Sequence, residues 1–316
     1  MGNFFKSLFS SPQAEEAPGA ISKDEQKKFD IFKYDGIRAR QMGQIPYAIR
    51  CFTEALNIRD DFETINYLAA AYTANGEPEE ALQAACRMVS LEPGNITTYL
   101  VRANILLLME KGEEAIADCA KAIELEGDNP LAWFLQGKAR RITNPQGATE
   151  DLAKAIAAKD GFTDAYLLRA EILLEANRPA EALPDAEKAI ELAPDEESAY
   201  LLRGKIHDKL SNFTAAAEDY ERGLNLNPFN TDACMLLGAL LMNTGDVARA
   251  IRFFDEAIEI KPDFAPAYRQ RAKAKELTGE REGAEADIKT AAELRPEDGQ
   301  AAGQVSFEDM YKGGIY

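Results

Sequence analysis

Histidine and tryptophan are almost missing from this sequence, which contains one of each, and cysteine is scarce, with four residues. The single histidine, His207, excludes a metal site that uses a pair of imidazoles. Four widely spaced cysteines do not make a disulfide framework and are typical of a reducing compartment. We therefore expect a cytoplasmic protein with free thiols at Cys51, Cys86, Cys119 and Cys234.

Motifs for nucleotide binding and nucleophilic catalysis are also missing. The sequence has no Gly-x-x-x-x-Gly-Lys-Ser/Thr segment, and no serine or cysteine has an evident base near it. Asp and Glu are abundant, but they recur at helix starts and on faces that we expect to be solvated. We therefore predict that the protein is not an enzyme and has no cofactor, metal site or catalytic residue. We expect the imidazole of His207 to be packed between helices.

Basic residues are outnumbered, with 36 Lys and Arg against 54 Asp and Glu, so the net charge is −18. A field of this sign repels phosphate backbones and excludes nucleic acid as a general partner. It attracts basic or amphipathic protein segments instead.

Long hydrophobic runs are absent from the N-terminal segment. That segment is too short to span a membrane, and Lys6 interrupts the apolar core that a signal peptide needs. Lys6 also occupies the position where an N-myristoylation motif has Ser or Thr. Two interpretations of Phe4–Phe9 stay open: an amphipathic foot that contacts a membrane or a partner, and a disordered tail with a few apolar residues.

A repeat dominates the rest of the chain. From Ala250 to Pro262 the sequence is apolar at the first, fourth, fifth, eighth and eleventh positions and ends at proline, as an amphipathic helix does. Its leading alanine recurs every 33 or 34 residues, and such a period is typical of a solenoid. The alanines are Ala48, Ala81, Ala115, Ala148, Ala182, Ala216, Ala250 and Ala284.

Each unit contains two helices, which we call A and B. We expect helix A to begin with a bulky residue, and a small residue follows four positions later, where it lets a neighbouring helix approach. The bulky residues are Phe32, Ile65, Tyr99, Trp133, Tyr166, Tyr200, Cys234 and Tyr268, and the small ones are Gly36, Ala69, Ala103, Gly137, Ala170, Gly204, Gly238 and Ala272.

Turn residues separate the two helices of each unit. Glycine is predicted to end helix A at Gly43, Gly76, Gly112, Gly245 and Gly279, and Asn or Ser takes this role elsewhere. Helix B opens with proline or acids, as at Pro78, because proline is tolerated in a first turn and carboxylates favour the positive helix end. Most units then end at a proline such as Pro194.

The order aromatic, small, glycine turn, alanine, aromatic, alanine, proline resembles the tetratricopeptide repeat. The resemblance implies an all-α fold, a right-handed α-solenoid of about eight helix-turn-helix repeats within 29–298. The units lie near 29–61, 62–95, 96–129, 130–162, 163–196, 197–230, 231–264 and 265–298. We assign 1–28 to a flexible N-terminal linker and 299–316 to a C-terminal tail. One departure from the family pattern recurs just before the small residue, namely arginine at Arg102, Arg169, Arg203 and Arg271.

The resemblance also implies a function, because A helices of such arrays line a concave face that binds peptides. The lining residues are expected one, two, five and eight positions after the bulky residue. Our candidate partner-binding residues are Leu100, Asn104, Leu107, Phe134, Lys138, Arg141, Leu167, Glu171, Leu174, Leu201, Lys205, Met235 and Met242. The same rule also includes Val101, Leu135, Leu168, Leu202, Asp208, Leu236 and Ala239. Two interpretations of the leucines and methionines stay open: an apolar groove, and packing between neighbouring A helices.

We accordingly predict a non-catalytic scaffold that binds a peptide or helix of a protein partner. Binding of chaperone C-termini by a carboxylate clamp is not expected, because Lys33 is followed one turn later by Ile37 rather than Asn. The alternative function is self-association through the apolar tail that contains Phe307, Met310 and Tyr316. For that tail, capping of the last repeat, docking in a groove and disorder all stay open.

Overall fold

The computed structural model describes residues 21–294, and this range consists of sixteen α-helices joined by short turns. The predicted all-α fold is confirmed, and consecutive helices pack in pairs as about eight helix-turn-helix repeats require. The predictions for Phe4–Phe9 and for the tail 299–316 lie outside the described residues. We keep the letters A and B for the odd-numbered and even-numbered helices.

The described helices divide between two compact units, with the boundary between Ala139 and Arg140. In the first unit, α1 packs on α2, α3 on α4 and α5 on α6. Each B helix also contacts the following A helix, so that α2 packs on α3 and α4 on α5. The helices are α1 Lys23–Gln41, α2 Ile45–Ile58, α3 Phe62–Ala74, α4 Pro78–Leu91, α5 Ile96–Leu108, α6 Gly112–Leu125 and α7 Pro130–Arg140.

The second unit repeats this arrangement, with the pairs α9 and α10, α11 and α12, α13 and α14, and α15 and α16. The A helices α9 and α11 also touch each other, as α13 and α15 do. The helices are α8 Pro145–Ala158, α9 Thr163–Glu175, α10 Pro179–Leu192, α11 Glu197–Lys209, α12 Phe213–Leu226, α13 Thr231–Thr244, α14 Val247–Ile260, α15 Ala265–Thr278 and α16 Arg281–Leu294.

Helix α1 begins at Lys23, inside the segment that the sequence analysis assigned to a linker. The cause is a capping box, in which Ser22 Oγ accepts from the Glu25 N–H while the Glu25 carboxylate accepts from the Ser22 N–H. These contacts satisfy two backbone donors and allow the helix to start before the first buried residue, Phe29.

The bulky residue of helix A lies one turn inside the helix rather than at its start, which corrects the predicted boundary. Helix α5, for example, begins at Ile96, and its bulky residue is Tyr99. Here the Tyr99 hydroxyl donates to the Pro93 carbonyl oxygen at 2.9 Å, and the Trp133 indole N–H donates to the Gly127 carbonyl oxygen at 2.8 Å. In both cases the aromatic side chain fills space between helices, and its hydrogen bond also ties its own helix to the connection that precedes it.

Small residues of helix A face side chains of matching size on helix B. A Cβ added at Gly204 would lie 2.5 Å from the Tyr220 ring, and one at Gly238 would lie 2.4 Å from the Phe254 ring. At Ala170, where the A-helix residue is alanine, the corresponding B-helix residue is the small, buried Ala186. The predicted close approach is confirmed for these pairs, and at Gly204 and Gly238 the glycine leaves room for an aromatic ring.

The turns reverse through a residue in the left-handed region, at Gly76 with φ 75° and at Gly245 with φ 90°. The corresponding residue in the third repeat is Glu110, with φ 58°. Gly112, which was predicted as the turn residue, is instead the first residue of α6. The same conformation is adopted by Asn177.

The recurrent arginines of helix A each pair with an aspartate sixteen residues later on helix B. The carboxylates are buried and the contacts bidentate, which is a strong geometry for an ion pair. The pairs are Arg102–Asp118, Arg169–Asp185, Arg203–Asp219 and Arg271–Asp287. Asp151 occupies the same place in α8 and is bound instead by Arg140, at 2.7 Å.

Candidate partner-binding face

The candidate residues on the A helices are all at least partly exposed. The exposed ones are Asn104, Lys138 and Lys205, and the others are partly buried. Five of the thirteen belong to the first unit and eight to the second, namely Leu100, Asn104, Leu107, Phe134 and Lys138, and then Arg141, Leu167, Glu171, Leu174, Leu201, Lys205, Met235 and Met242.

In the first unit the apolar candidates Leu100, Leu107 and Phe134 pack at the edge of one buried cluster. The cluster contains the buried side chains of Leu106 and Leu135. Each candidate therefore has one side against the core and another side toward solvent. The sequence left open whether these side chains line an apolar groove or pack between neighbouring A helices. In the structure each one both packs against other helices and reaches the surface.

In the second unit the same positions have the same character. Leu167 and Leu174 pack against the cluster around Leu173 and Leu202, and three further candidates pack against the cluster of α12, α13 and α14. Those three are Leu201, Met235 and Met242. We call these five side chains, together with Glu171, Lys205 and Asp208, the A-helix face of the second unit.

Three of the positions two residues after the bulky column are buried, contrary to the sequence rule, whereas Val101 and Leu236 at the same place are partly exposed. Leu135, Leu168 and Leu202 are 3%, 8% and 7% exposed. These side chains are enclosed by the neighbouring helices because a helix that packs on both sides buries a wide stripe. The exposed part of the A helix is correspondingly narrower than predicted.

Arg141 is occupied within the protein rather than available to a partner. Helix α7 ends at Arg140, and the Arg141 guanidinium lies 3.1 Å from a Glu171 carboxylate oxygen and also bonds to Glu175. Burial raises the pKa of Glu171, and the nearby Arg141 opposes that rise. Glu171 and Arg141 thus neutralise each other at the start of the A-helix face.

Asp208 is different, because its partly buried carboxylate makes no hydrogen bond or ion pair within residues 21–294. Burial raises its pKa, and the neighbouring Lys209 opposes this only in part. The sequence rule included Asp208 among the lining residues but gave no sign that its carboxylate lacks an ion-pair partner. Only the packing of the helices shows which internal cations reach it.

His207 is packed, as predicted, with its side chain 15% exposed. Its Nε2 atom lies 4.0 Å from Asp219, and its buried Nδ1 atom has no hydrogen-bond partner in the described part of the chain. The equivalent residue two repeats later is Lys275, which binds Asp287 at 2.9 Å. His207 therefore lies beside the Arg203–Asp219 pair and is not part of the A-helix face.

Other chemistry is sparse in the described range. Between residues 21 and 294, no three His, Cys, Asp or Glu side chains are grouped as metal ligands. None of the described helices is both long and apolar enough to cross a membrane. None of the four cysteines, all within the described range, forms a disulfide. Burial raises the pKa of the Cys234 thiol to about 11, which keeps it protonated at neutral pH.

The tetratricopeptide repeat family model matches residues 138–197 and 201–263. Hsc70-interacting proteins 1 and 2 of Drosophila melanogaster are each 31% identical to this chain over 103 residues. The match covers 31% of this chain but only 27% of those proteins.

Solved structures agree on the fold. A chain of the APC/C hetero-tetramer Cut9–Hcn1 has a TM-score of 0.59 at 14% identity, with coverage of 91% of this chain and 56% of that one. A tetratricopeptide repeat protein from Parabacteroides merdae has a TM-score of 0.58 at 16% identity, with coverage of 79% and 96%. These two likenesses concern the fold alone. The family match, the paired helices and the 33- or 34-residue period together show that the chain is a tetratricopeptide repeat protein.

Proposed function

We propose that this protein is a non-catalytic scaffold whose A-helix face in the second unit binds an extended peptide or an amphipathic helix of a protein partner. Tetratricopeptide repeats typically mediate protein–protein binding and are usually non-catalytic. The observation that carries the proposal is the row of partly exposed apolar side chains, Leu167, Leu174, Leu201, Met235 and Met242.

These five side chains suit a binding surface because each is already ordered by the core. A partner that covers their exposed parts gains apolar burial, worth about 25 cal/mol per Å², without having to fix five mobile side chains. Methionine adds adaptability, since its unbranched thioether adjusts to differently shaped partners.

The related Hsc70-interacting proteins favour a protein partner, but the chain covers only 27% of their length. A carboxylate clamp for a chaperone C-terminus finds no support in the first repeat. Lys33 Nζ lies 2.9 Å from Asp61 and 2.6 Å from Glu63, so this lysine is engaged within the protein. We therefore favour recognition through apolar contacts over recognition of a terminal carboxylate.

Selection from a random displayed-peptide library against the full chain tests the proposal. We expect peptides that bind the wild type and lose binding to the double variant Leu167→Glu with Leu201→Glu. Both positions are partly exposed, so the glutamates reach solvent and the fold is kept, which circular dichroism checks.

The matched control is Phe229→Glu, an apolar-to-acid change in the turn before α13, where the side chain is 78% exposed. This control is expected to bind the selected peptides as the wild type does. If the selection yields no binder, or if the double variant binds every selected peptide normally, the assignment of this face is wrong.

A further inference from the structure

We propose that Asp208 determines specificity on the A-helix face by binding a lysine or arginine side chain of the partner, with apolar partner residues on both sides of that cation. The inference rests on the proposed function and adds the chemical class of the segment that the face selects.

The first observation is the lack of an internal cation for Asp208. Buried carboxylates in the same unit are paired, for instance Asp185 with Arg169 at 2.6 Å and Asp219 with Arg203 at 2.7 Å. Asp208 is partly buried, and within the described residues it makes neither a hydrogen bond nor an ion pair. A desolvated carboxylate without a partner costs free energy that an incoming cation recovers.

The cations on the same helix do not meet this need. Lys205 lies one turn earlier, is exposed, and acts electrostatically on Glu171 of α9. Lys209 follows Asp208 directly, so the two side chains point to different sides of α11, and Lys209 is exposed. Burial accordingly dominates over Lys209 in setting the raised pKa of Asp208.

The position of Asp208 within α11 strengthens the preference for a cation. Helix α11 ends at Lys209, so Asp208 lies in the last turn, where the helix dipole presents its negative end. A carboxylate is unfavourable there, and both the carboxylate and the helix end attract positive charge. The chain as a whole carries a net charge of −18, which favours the approach of the same kind of ligand.

The surroundings of Asp208 define what flanks the cation. Its equivalents 34 residues earlier and later are Leu174 and Met242, and both are partly exposed. Equivalent residues of consecutive repeats lie on the same face of the array. A charge between two apolar contacts is shielded from water when the partner is bound, which strengthens the ion pair relative to an exposed one. The best ligand therefore has the order apolar, basic, apolar along its length.

Peptides selected as described above supply the probe, used as synthetic fluorescent peptides in anisotropy titrations with the full chain. We expect them to contain a lysine or arginine, and Asp208→Asn to weaken binding about tenfold, in line with the loss of one charged hydrogen bond. Replacing that basic residue of the peptide with methionine should weaken binding to the wild type about tenfold as well. The same replacement should leave binding to the Asp208→Asn variant almost unchanged. Asp164→Asn is the matched control, since Asp164 is exposed on α9, and it should bind normally.

Two results would overturn the inference. One is that Asp208→Asn binds the selected peptides within about twofold of the wild type. The other is that the basic residue of the peptide contributes equally in both proteins. If either occurs while Leu167→Glu with Leu201→Glu still abolishes binding, the face is correct and only the role of Asp208 is wrong. Failure of the proposed function would give a different result. The selected peptides would then bind the double variant Leu167→Glu with Leu201→Glu as well as they bind the wild type.

Discussion

Arg169 and Asp185 lie sixteen residues apart on α9 and α10, and their side chains are joined by two parallel hydrogen bonds of 2.7 and 2.6 Å. The Asp185 side chain is 7% exposed, so the pair is largely removed from water. The hydrogen bonds to Asp185 raise the pKa of Arg169, and burial opposes the rise. This contact explains the recurrent arginine just before the small residue of helix A, which departs from the family pattern.

Two of the repeats without this arginine, the second and the seventh, have apolar residues at both positions. The two places are held by Leu68 and Ala84 in the second repeat and by Leu237 and Phe253 in the seventh. These four side chains belong to the core clusters of their units. Six repeats therefore have either an ion pair or an apolar pair at this place, whereas the first has Asp35 with Cys51 and the fourth has Gln136 with Asp151, which Arg140 binds. Removal of one partner of an ion pair would leave a buried charge alone.

We predict that Arg169→Leu and Asp185→Ala each reduce the free energy of unfolding by about 3 kcal/mol, because each leaves one charged side chain without its ion-pair partner. The double variant reproduces the Leu68 and Ala84 combination and should recover most of that loss. Urea titration followed by circular dichroism measures all three. Arg178→Leu is the control, since its pair with Glu181 is exposed, and a double variant as unstable as the sum of the singles would refute the account.

Gly204 is predicted to be sensitive to its partner's size. Gly204→Ala places a methyl group against the Tyr220 ring and should cost about 1–3 kcal/mol of unfolding free energy. In a Tyr220→Ala background Gly204→Ala should change the unfolding free energy little. The equivalent residues one repeat earlier, Ala170 and Ala186, are already a pair of alanines. Thermal unfolding of the four proteins measures the coupling.

The control for this cycle is Gly94→Ala, where the added Cβ meets nothing within 4 Å. Equal costs of Gly204→Ala with and without the tyrosine ring would show that the close approach does not set the choice of glycine.

Glu110→Gly is expected to stabilise the protein by about 1 kcal/mol. Glu110 adopts φ 58°, which is unfavourable for a residue with a Cβ, whereas the other repeats use glycine or asparagine at several equivalent positions. The comparison is Ala120→Gly, an exposed site inside α6, which should destabilise by about the same amount. A lower melting temperature for Glu110→Gly would contradict the assignment of strain to this turn.

The Asp287 site predicts a dependence on pH. Burial alone would raise the Asp287 pKa, but hydrogen bonds from Arg271 and Lys275 outweigh it and lower the pKa below the ordinary 3.8. A lowered folded-state pKa stabilises the fold above the unfolded pKa and loses that contribution as pH falls through the folded value. Asp287→Asn should therefore cost about 2 kcal/mol at pH 7 and progressively less below pH 4.

Denaturant titrations of the wild type and Asp287→Asn at neutral and acidic pH check this difference. A gap between the two proteins that stays constant, or widens, as the pH falls would contradict the assigned sign.

Self-association through the tail stays a prediction, since 299–316 lies outside the described residues. Deletion of 303–316 tests it by light scattering. A tail that joins copies gives a smaller mass after deletion, and an unchanged mass excludes this function.

The repeat period was enough to predict the helices, their pairing and the close approach at Gly204. It failed where a residue's role depends on a partner in another helix. The arginines at Arg169 and its equivalents were visible, but their meaning required Asp185, sixteen residues away in a column that the family pattern does not emphasise. Aligning the repeats on the leading alanine would have shown an aspartate three residues after it.

The A-helix face was predictable in outline and not in detail. Spacing identified Leu167, Leu201 and Met242 as partly exposed, but it also included Leu168, which the neighbouring helices bury. It could not show that Arg141 is taken by Glu171, because that contact joins two repeats.

The A-helix face is tested most directly by methyl NMR of the full chain, labelled at leucine and methionine methyl groups, during titration with a selected peptide. We expect shifts at Leu167, Leu201, Met235 and Met242, while the methyl group of Met42, 67% exposed at the end of α1 in the first unit, stays unchanged. Shifts confined to residues outside this face, with Met235 and Met242 unmoved, would contradict the proposed binding surface.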